Sequence, residues 1–92
     1  MIFEWDSEKN LSNIRKHGVS FETAKRIFDG YVMTTIDDRF PYPELRECSI
    51  GIVDGITVLV VIHTDTDTGK IRLISARKAT RKERTRYEKT TF

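Results

Sequence analysis

Residues 56–63, Ile-Thr-Val-Leu-Val-Val-Ile-His, decide what this chain can fold into. The run is apolar on both alternating faces and rich in β-branched valine and isoleucine. It is far too short to cross a bilayer, so it predicts a strand covered on both sides. Asp54-Gly55 precedes it, the strongest two-residue hairpin signal, and joins it to an antiparallel neighbour over residues 46–53. A five-residue loop, 65–69, returns the chain into a third strand over residues 70–77. The centre of the fold is therefore a three-stranded meander, residues 46–77, with 56–63 in the middle.

The flanking segments cover or extend that meander. Residues 2–5 are a candidate edge strand. Asp6 suits an N-cap for a helix over 7–16, with Leu11 and Ile14 on one side, and Gly18 suits its C-terminal stop. Ser20 caps a second helix, 21–29, whose inner face carries Phe21, Ala24, Ile27 and Phe28. Residues 31–37 are β-branched enough for a fourth strand, and 38–45, with Pro41 and Pro43, must be an exposed loop. Thr80 and Glu83 have capping-box spacing and open a basic helix over 81–89. Tyr87 is its only large apolar side chain, so this helix is poorly anchored by its own sequence and suits a partner. The predicted fold is α+β, a single domain over residues 1–92 with two N-terminal helices on one sheet face. A domain this small buries roughly 60–65% of its extended-chain surface, which leaves no room for a large cofactor cavity.

Counting outward from a two-residue turn pairs Val53 with Ile56, Arg46 with His63 and Glu47 with Ile62; the second hairpin then sets Arg72 opposite Ile62. One face holds Cys48, Ile50, Ile52, Leu59, Val61, Ile71 and Leu73, and the N-terminal helices should cover it. The other holds Glu47, Ser49, Gly51, Val58, Val60, Ile62, Arg72, Ile74 and Ala76. Strict alternation separates Arg72 and Arg77 onto opposite faces.

Composition narrows the function. The acidic start, Met-Ile-Phe-Glu-Trp-Asp, is unlike a signal peptide, and one cysteine, Cys48, cannot form an internal disulfide; both favour a reducing cytoplasm and no membrane. The net charge of +2 hides an asymmetry. Residues 1–69 hold seven Lys/Arg and twelve Asp/Glu, whereas residues 70–92 hold nine and two. Such a basic end favours a polyanion or an acidic protein. The basic set is Lys70, Arg72, Arg77, Lys78, Arg81, Lys82, Arg84 and Arg86, mostly arginines, whose planar fork matches phosphate. His17 sits at a helix end, where capping competes with catalysis as its role. His63 closes a buried strand and could be an acid–base group or a structural imidazole. Asp65, Asp67 and Gly69 do not make a calcium loop, because Ala76 stands where the bidentate Glu is needed. Cys48, His17 and His63 lack zinc spacing, and no glycine-rich phosphate loop occurs. No metal or cofactor is expected. A non-catalytic module, in which the basic strand and helix dock on RNA or protein, is the rival reading.

Several motifs together carry a family resemblance. Phe3-Glu-Trp5-Asp6, Lys9-Asn10 and Asn13-Ile-Arg-Lys16-His17-Gly18-Val19-Ser20-Phe21 resemble the first half of the BrnT toxins of bacterial type II toxin–antitoxin systems. Ile74-Ser75-Ala76-Arg77-Lys78-Ala79-Thr80, with Glu83-Arg84 and Tyr87-Glu88, resembles their ending. The resemblance implies a RelE-like antiparallel sheet and a small, metal-independent ribonuclease that arrests translation. It also implies a BrnA-type antitoxin partner with a ribbon-helix-helix part, through which the complex contacts operator DNA. In such an enzyme the RNA 2′-hydroxyl attacks the adjacent phosphate, which needs a proton acceptor, a donor and cations. The candidate catalytic residues are Arg72 and Arg77 for the phosphate and His63 or Glu47 as base. Lys70, Lys78, Arg81, Arg84 and Arg46 are candidate RNA contacts. Should Arg72 be dispensable, the site moves toward His17 and the loop around Arg39.

Overall fold

The computed structural model describes residues 1–91. They form five strands, β1 (Phe3–Glu4), β2 (Met33–Ile36), β3 (Glu47–Val53), β4 (Thr57–Asp65) and β5 (Ile71–Lys78), and three helices, α1 (Ser7–His17), α2 (Phe21–Ala24) and α3 (Arg81–Thr91). A 3₁₀ segment, Lys25–Asp29, extends α2. The strands lie in one sheet of order β1-β5-β4-β3-β2. All pairs are antiparallel except β1 with β5. The fold is the predicted α+β arrangement, with residues 57–63 of the apolar run inside the central strand.

Local signals explain the element ends. Asp6 accepts hydrogen bonds from the amides of Glu8 and Lys9 at the start of α1, and Gly18 closes that helix at φ +70°, a conformation cheap only for glycine. Ser20 caps α2 through the Thr23 amide. Phe21, Ala24 and Ile27 are fully buried, as their spacing predicts. The 3₁₀ segment comes so close to β3 that a Cβ on Gly51 would stand 2.7 Å from that of Ile27. A glycine is required there.

The predicted register is off by one residue. Asp54 and Gly55 do take the left-handed conformations of a two-residue turn. Ile56, however, is extruded: Val53 pairs with Thr57, Glu47 with His63 and Cys48 with Ile62. One extra residue inverts every facing relation between β3 and β4. Ser49, Gly51 and Val53 therefore share a face with Leu59, Val61 and His63, under α2 and the 3₁₀ segment. Cys48, Ile50 and Ile52 share the other with Val58, Val60 and Ile62. A second irregularity falls in β5, where Leu73 pairs with His63 but Ser75 pairs with Ile62, leaving Ile74 extra. Arg72, opposite Thr64, and Arg77, opposite Val60, consequently lie on one face rather than two.

Two cores result. Phe21, Ala24, Ile27, Leu59, Val61, Leu73 and Ala76 fill the helix-covered face. Ile50, Val58, Val60 and Tyr87 fill a smaller one beneath α3. Tyr87 is 4% exposed and donates a hydrogen bond to the Tyr31 carbonyl at 2.8 Å, so the polar C-terminal helix is anchored by its one aromatic residue. Leu11 and Ile14 of α1, which the spacing set together, are exposed. The buried residue of that helix is Asn13, whose amide donates to the carbonyls of Val19 (2.8 Å) and Ala76 (2.7 Å) and accepts from the Ala76 amide (3.1 Å). The side chain pairs with the edge of β5 as a strand would, closing it beyond the reach of β1.

Candidate active site

α1 runs along that edge, and its last residue, His17, reaches the opposite side of the sheet. There a cleft of about 450 Å³ opens on the face bearing α3. Its floor is Cys48, Val60, Ile62 and Ser75, and its walls are Asp37, Arg39, Arg77, Glu83 and His17. Each wall element has a sequence cause. The bulge at Ile74 turns Arg77 to this face, and the Thr80–Glu83 capping box fixes the first turn of α3. Glu83 Oε1 accepts from the Thr80 amide at 2.8 Å, and the Glu83 amide donates to Thr80 Oγ1 at 3.2 Å.

Glu83 has a second task. Its carboxylate takes both guanidinium nitrogens of Arg77, at 2.7 and 2.9 Å. That fork, together with the Thr80 amide, holds the Glu83 pKa down to about 2. Across the cleft, Arg39 donates to Asp37 at 2.7 and 3.2 Å, and these bonds hold the Asp37 carboxyl below its ordinary range. Between the pairs, burial pushes the Cys48 thiol up, so the cysteine is a neutral floor residue. Two oriented guanidinium groups, an imidazole at the rim and an apolar floor suit an anion with a flat neighbour. Among the described residues no group of three or more His, Cys, Asp or Glu side chains is placed to hold a metal ion.

The residues singled out from the sequence divide between places. Arg77 is in the cleft. Arg72 is not: it is paired with Glu4 of β1 at 2.6 Å and lines a second concavity with Arg46, Lys70 and Thr64. Glu47 and Arg72, which the predicted register sets on either side of Ile62, lie on opposite faces: Glu47 faces His63 on the helix-covered side and Arg72 faces Thr64 on the other. His63 is 4% exposed there, its ring edge-on to Phe28 at 5.2 Å and its Nε2 2.7 Å from Ser49 Oγ, which in turn meets Thr34 Oγ1 at 2.7 Å. Nδ1 has no partner among the described residues. An orphaned lone pair costs less than an orphaned N–H, so the Nε2–H tautomer, donating to Ser49, fits best. Burial pushes this imidazole's pKa down. Arg81 is exposed on α3, Arg84 pairs with Glu88 at 2.8 Å along that helix, and Lys78 lies at the edge of a shallow groove between α1 and the β3–β4 turn.

Glu83, Asp37 and Asn13 build the site without any charge or spacing in the sequence that marks them as cleft residues. Only the capping-box spacing of Glu83 was a visible signal, and it pointed to the helix end rather than the cleft.

Comparison with known proteins agrees with this architecture. Residues 5–83 match the family model described as the ribonuclease toxin, BrnT, of type II toxin–antitoxin systems. The crystal structure of the ribonuclease toxin BrnT from Brucella abortus superposes with a TM-score of 0.65 at 26% identity, covering 88% of this chain and all of that one. No match to an individual curated protein is found. With the family model spanning nearly the whole described sheet and all the residues of the cleft, this chain belongs to the BrnT family of ribonuclease toxins of type II toxin–antitoxin systems.

Proposed function

We propose that this protein cleaves RNA in the Arg77 cleft without a metal ion, thereby inhibiting translation, and that a BrnA-type antitoxin neutralises it. Operator DNA is met only through that antitoxin. The observation that carries this reading is Arg77, fixed by Glu83 at 2.7 and 2.9 Å and facing Arg39 across an open cleft with His17 on its rim. In the reaction a base takes the proton of a ribose 2′-hydroxyl, and the oxygen attacks the adjacent phosphorus. The P–O5′ bond breaks, and the leaving oxygen takes a proton, giving a 2′,3′-cyclic phosphate and a 5′-hydroxyl. Arg77 stabilises the charge on the pentacoordinate phosphate, and Arg39 holds the strand from the other wall. His17 is the proton carrier, because it is the imidazole that lines the cleft, and His63 keeps a structural place on the far face. Arg72, Arg46 and Lys70 hold phosphates further along the strand, and Lys78, Arg81 and Arg84 contribute to the general field.

The test is cleavage of single-stranded RNA in excess chelator by the wild-type chain and by Arg77→Ala. Loss of a charged donor costs about 10²–10³ in rate, so the variant should be folded and nearly inactive. RNA left intact by the wild type, but bound by it, would establish the non-catalytic module instead.

A further inference from the structure

Residues 37–46 separate the two concavities that contain the arginines. This loop gives Asp37, Asp38 and Arg39 to the Arg77 cleft, and Glu44 and Arg46 to the concavity of Arg72 and Lys70. Its tip is Phe40-Pro41-Tyr42-Pro43. The Tyr42 amide donates to the Phe40 carbonyl at 2.9 Å, a three-residue turn centred on Pro41. The turn sets the two rings edge to face, with centroids 5.8 Å apart. Phe40 is 61% exposed, a large apolar ring kept in water by a stiff backbone. The loop is tied at both ends, by the Asp37 amide to the Arg46 carbonyl at 2.8 Å and by Thr64 Oγ1 to the Leu45 carbonyl at 2.6 Å.

Each ring also carries a guanidinium. Arg46 lies 3.8 Å from the centroid of Tyr42, and Arg39 lies 5.9 Å from that of Phe40. Flat cations layered on aromatic faces are the surface on which unpaired bases stack. The loop is not itself cationic. Asp37, Asp38 and Glu44 outnumber its two arginines, so whatever it binds is held by its rings more than by charge.

We propose that Phe40 and Tyr42 are a base-stacking platform for single-stranded RNA, holding a nucleotide between the Arg77 cleft and the Arg72 concavity and so setting which phosphate reaches Arg77. The proposal rests on the ribonuclease reading and adds the element that positions its substrate. Proline on both sides of Tyr42 reduces the ordering cost of such a platform, because the loop is already shaped before RNA arrives. A protein-docking role for the same aromatic patch is the competing outcome.

The experiment measures binding of a labelled, uncleavable 2′-O-methyl decanucleotide, and of the same strand with abasic positions, across a salt series. Phe40→Ala and Tyr42→Ala should each weaken binding of the intact strand about 5- to 100-fold, as loss of one base–aromatic stack does. Their salt slopes should stay unchanged, because no phosphate contact is lost. The abasic strand should not distinguish them from wild type, and Phe40→Tyr and Tyr42→Phe should bind as wild type does. Wild-type affinity in both alanine variants overturns the proposal, as does an equal loss on the abasic strand. Unchanged RNA affinity with lost neutralisation by a BrnA-type antitoxin assigns the loop to protein docking and overturns it too. Cleavage by the wild type separates the two levels: if RNA is cut but the alanine variants bind normally, only the platform falls; if RNA is neither cut nor bound, the ribonuclease reading falls with it.

Discussion

The two faces of the sheet use similar residues to opposite ends. Each presents a histidine and polar groups beside valine and isoleucine. On the face covered by α2 and the 3₁₀ segment, Gly51 lets the backbone close in, and His63 is sealed beside Phe28 with its Nε2 on Ser49. On the other face α3 covers only the Ile50–Val58–Val60 end, and the remainder is an open cleft where Arg77 and Arg39 are held by carboxylates. A titratable group means different things on the two sides. Buried, it is a packing element whose charge is unwelcome; at the cleft it has room to bind and exchange protons.

Exchanging the histidines as targets gives the largest expected contrast. His17→Gln should lower RNA cleavage about 10²–10⁴-fold and leave the melting temperature unchanged. His63→Gln should do the reverse, lowering Tm by several degrees with normal cleavage per folded molecule. Loss of activity in well-folded His63→Gln protein would place the chemistry on the closed face and break the comparison. Gly51→Ala comes next, because its methyl must displace Ile27. Overpacking of this kind costs about 1–3 kcal/mol, read as a lowered urea midpoint at constant m-value. Full stability of that variant would show the closed face to be looser than its geometry.

The acid profile sharpens the same contrast. His63 has a lowered pKa in the folded state, so the unfolded chain binds its proton first; stability is complete above about pH 6.5 and falls below it. Glu83 contributes stability above its ordinary 4.5, lost as pH falls toward about 2. Its share is about 1–2 kcal/mol after screening, since the pair's side chains are 38% and 25% exposed. Unfolding followed from pH 8 to 2 should show two descents, and His63→Gln should abolish only the first. The smallest effect belongs to Tyr87→Phe, which loses the bond to the Tyr31 carbonyl, about 0.5–1.5 kcal/mol, and should speed hydrogen exchange in α3 without altering cleavage.

Elements were legible because their ends are written in short-range chemistry: Asp6, Ser20, Gly18 and the Thr80–Glu83 box each act on residues within a few positions. The facing of side chains was not. Ile56 and Ile74 look like ordinary strand residues, yet each is extra, and nothing local in the sequence marks an isoleucine as unpaired. These two positions moved Cys48 to the open face, set Glu47 opposite His63 and brought Arg72 and Arg77 to one side. Asn13 was equally silent, since its partner, Ala76, lies 63 residues away. Arg77 stands out in the sequence as a phosphate candidate by type alone, whereas its separation from Arg72 depends on where β1 ends and Glu4 sits.

The bidentate hold of Glu83 on Arg77 has a consequence for what the cleft admits. A carboxylate tethered beside the guanidinium is a permanent competitor whose local concentration no small anion in solution matches. Chloride or free phosphate, grasping at one point, would have to share the guanidinium with it and gain little. A polymer anchored elsewhere on the surface delivers its phosphate at a comparable local concentration and competes on equal terms. On the ribonuclease reading proposed above, the cleft therefore favours anions that are held in several places over those that arrive alone.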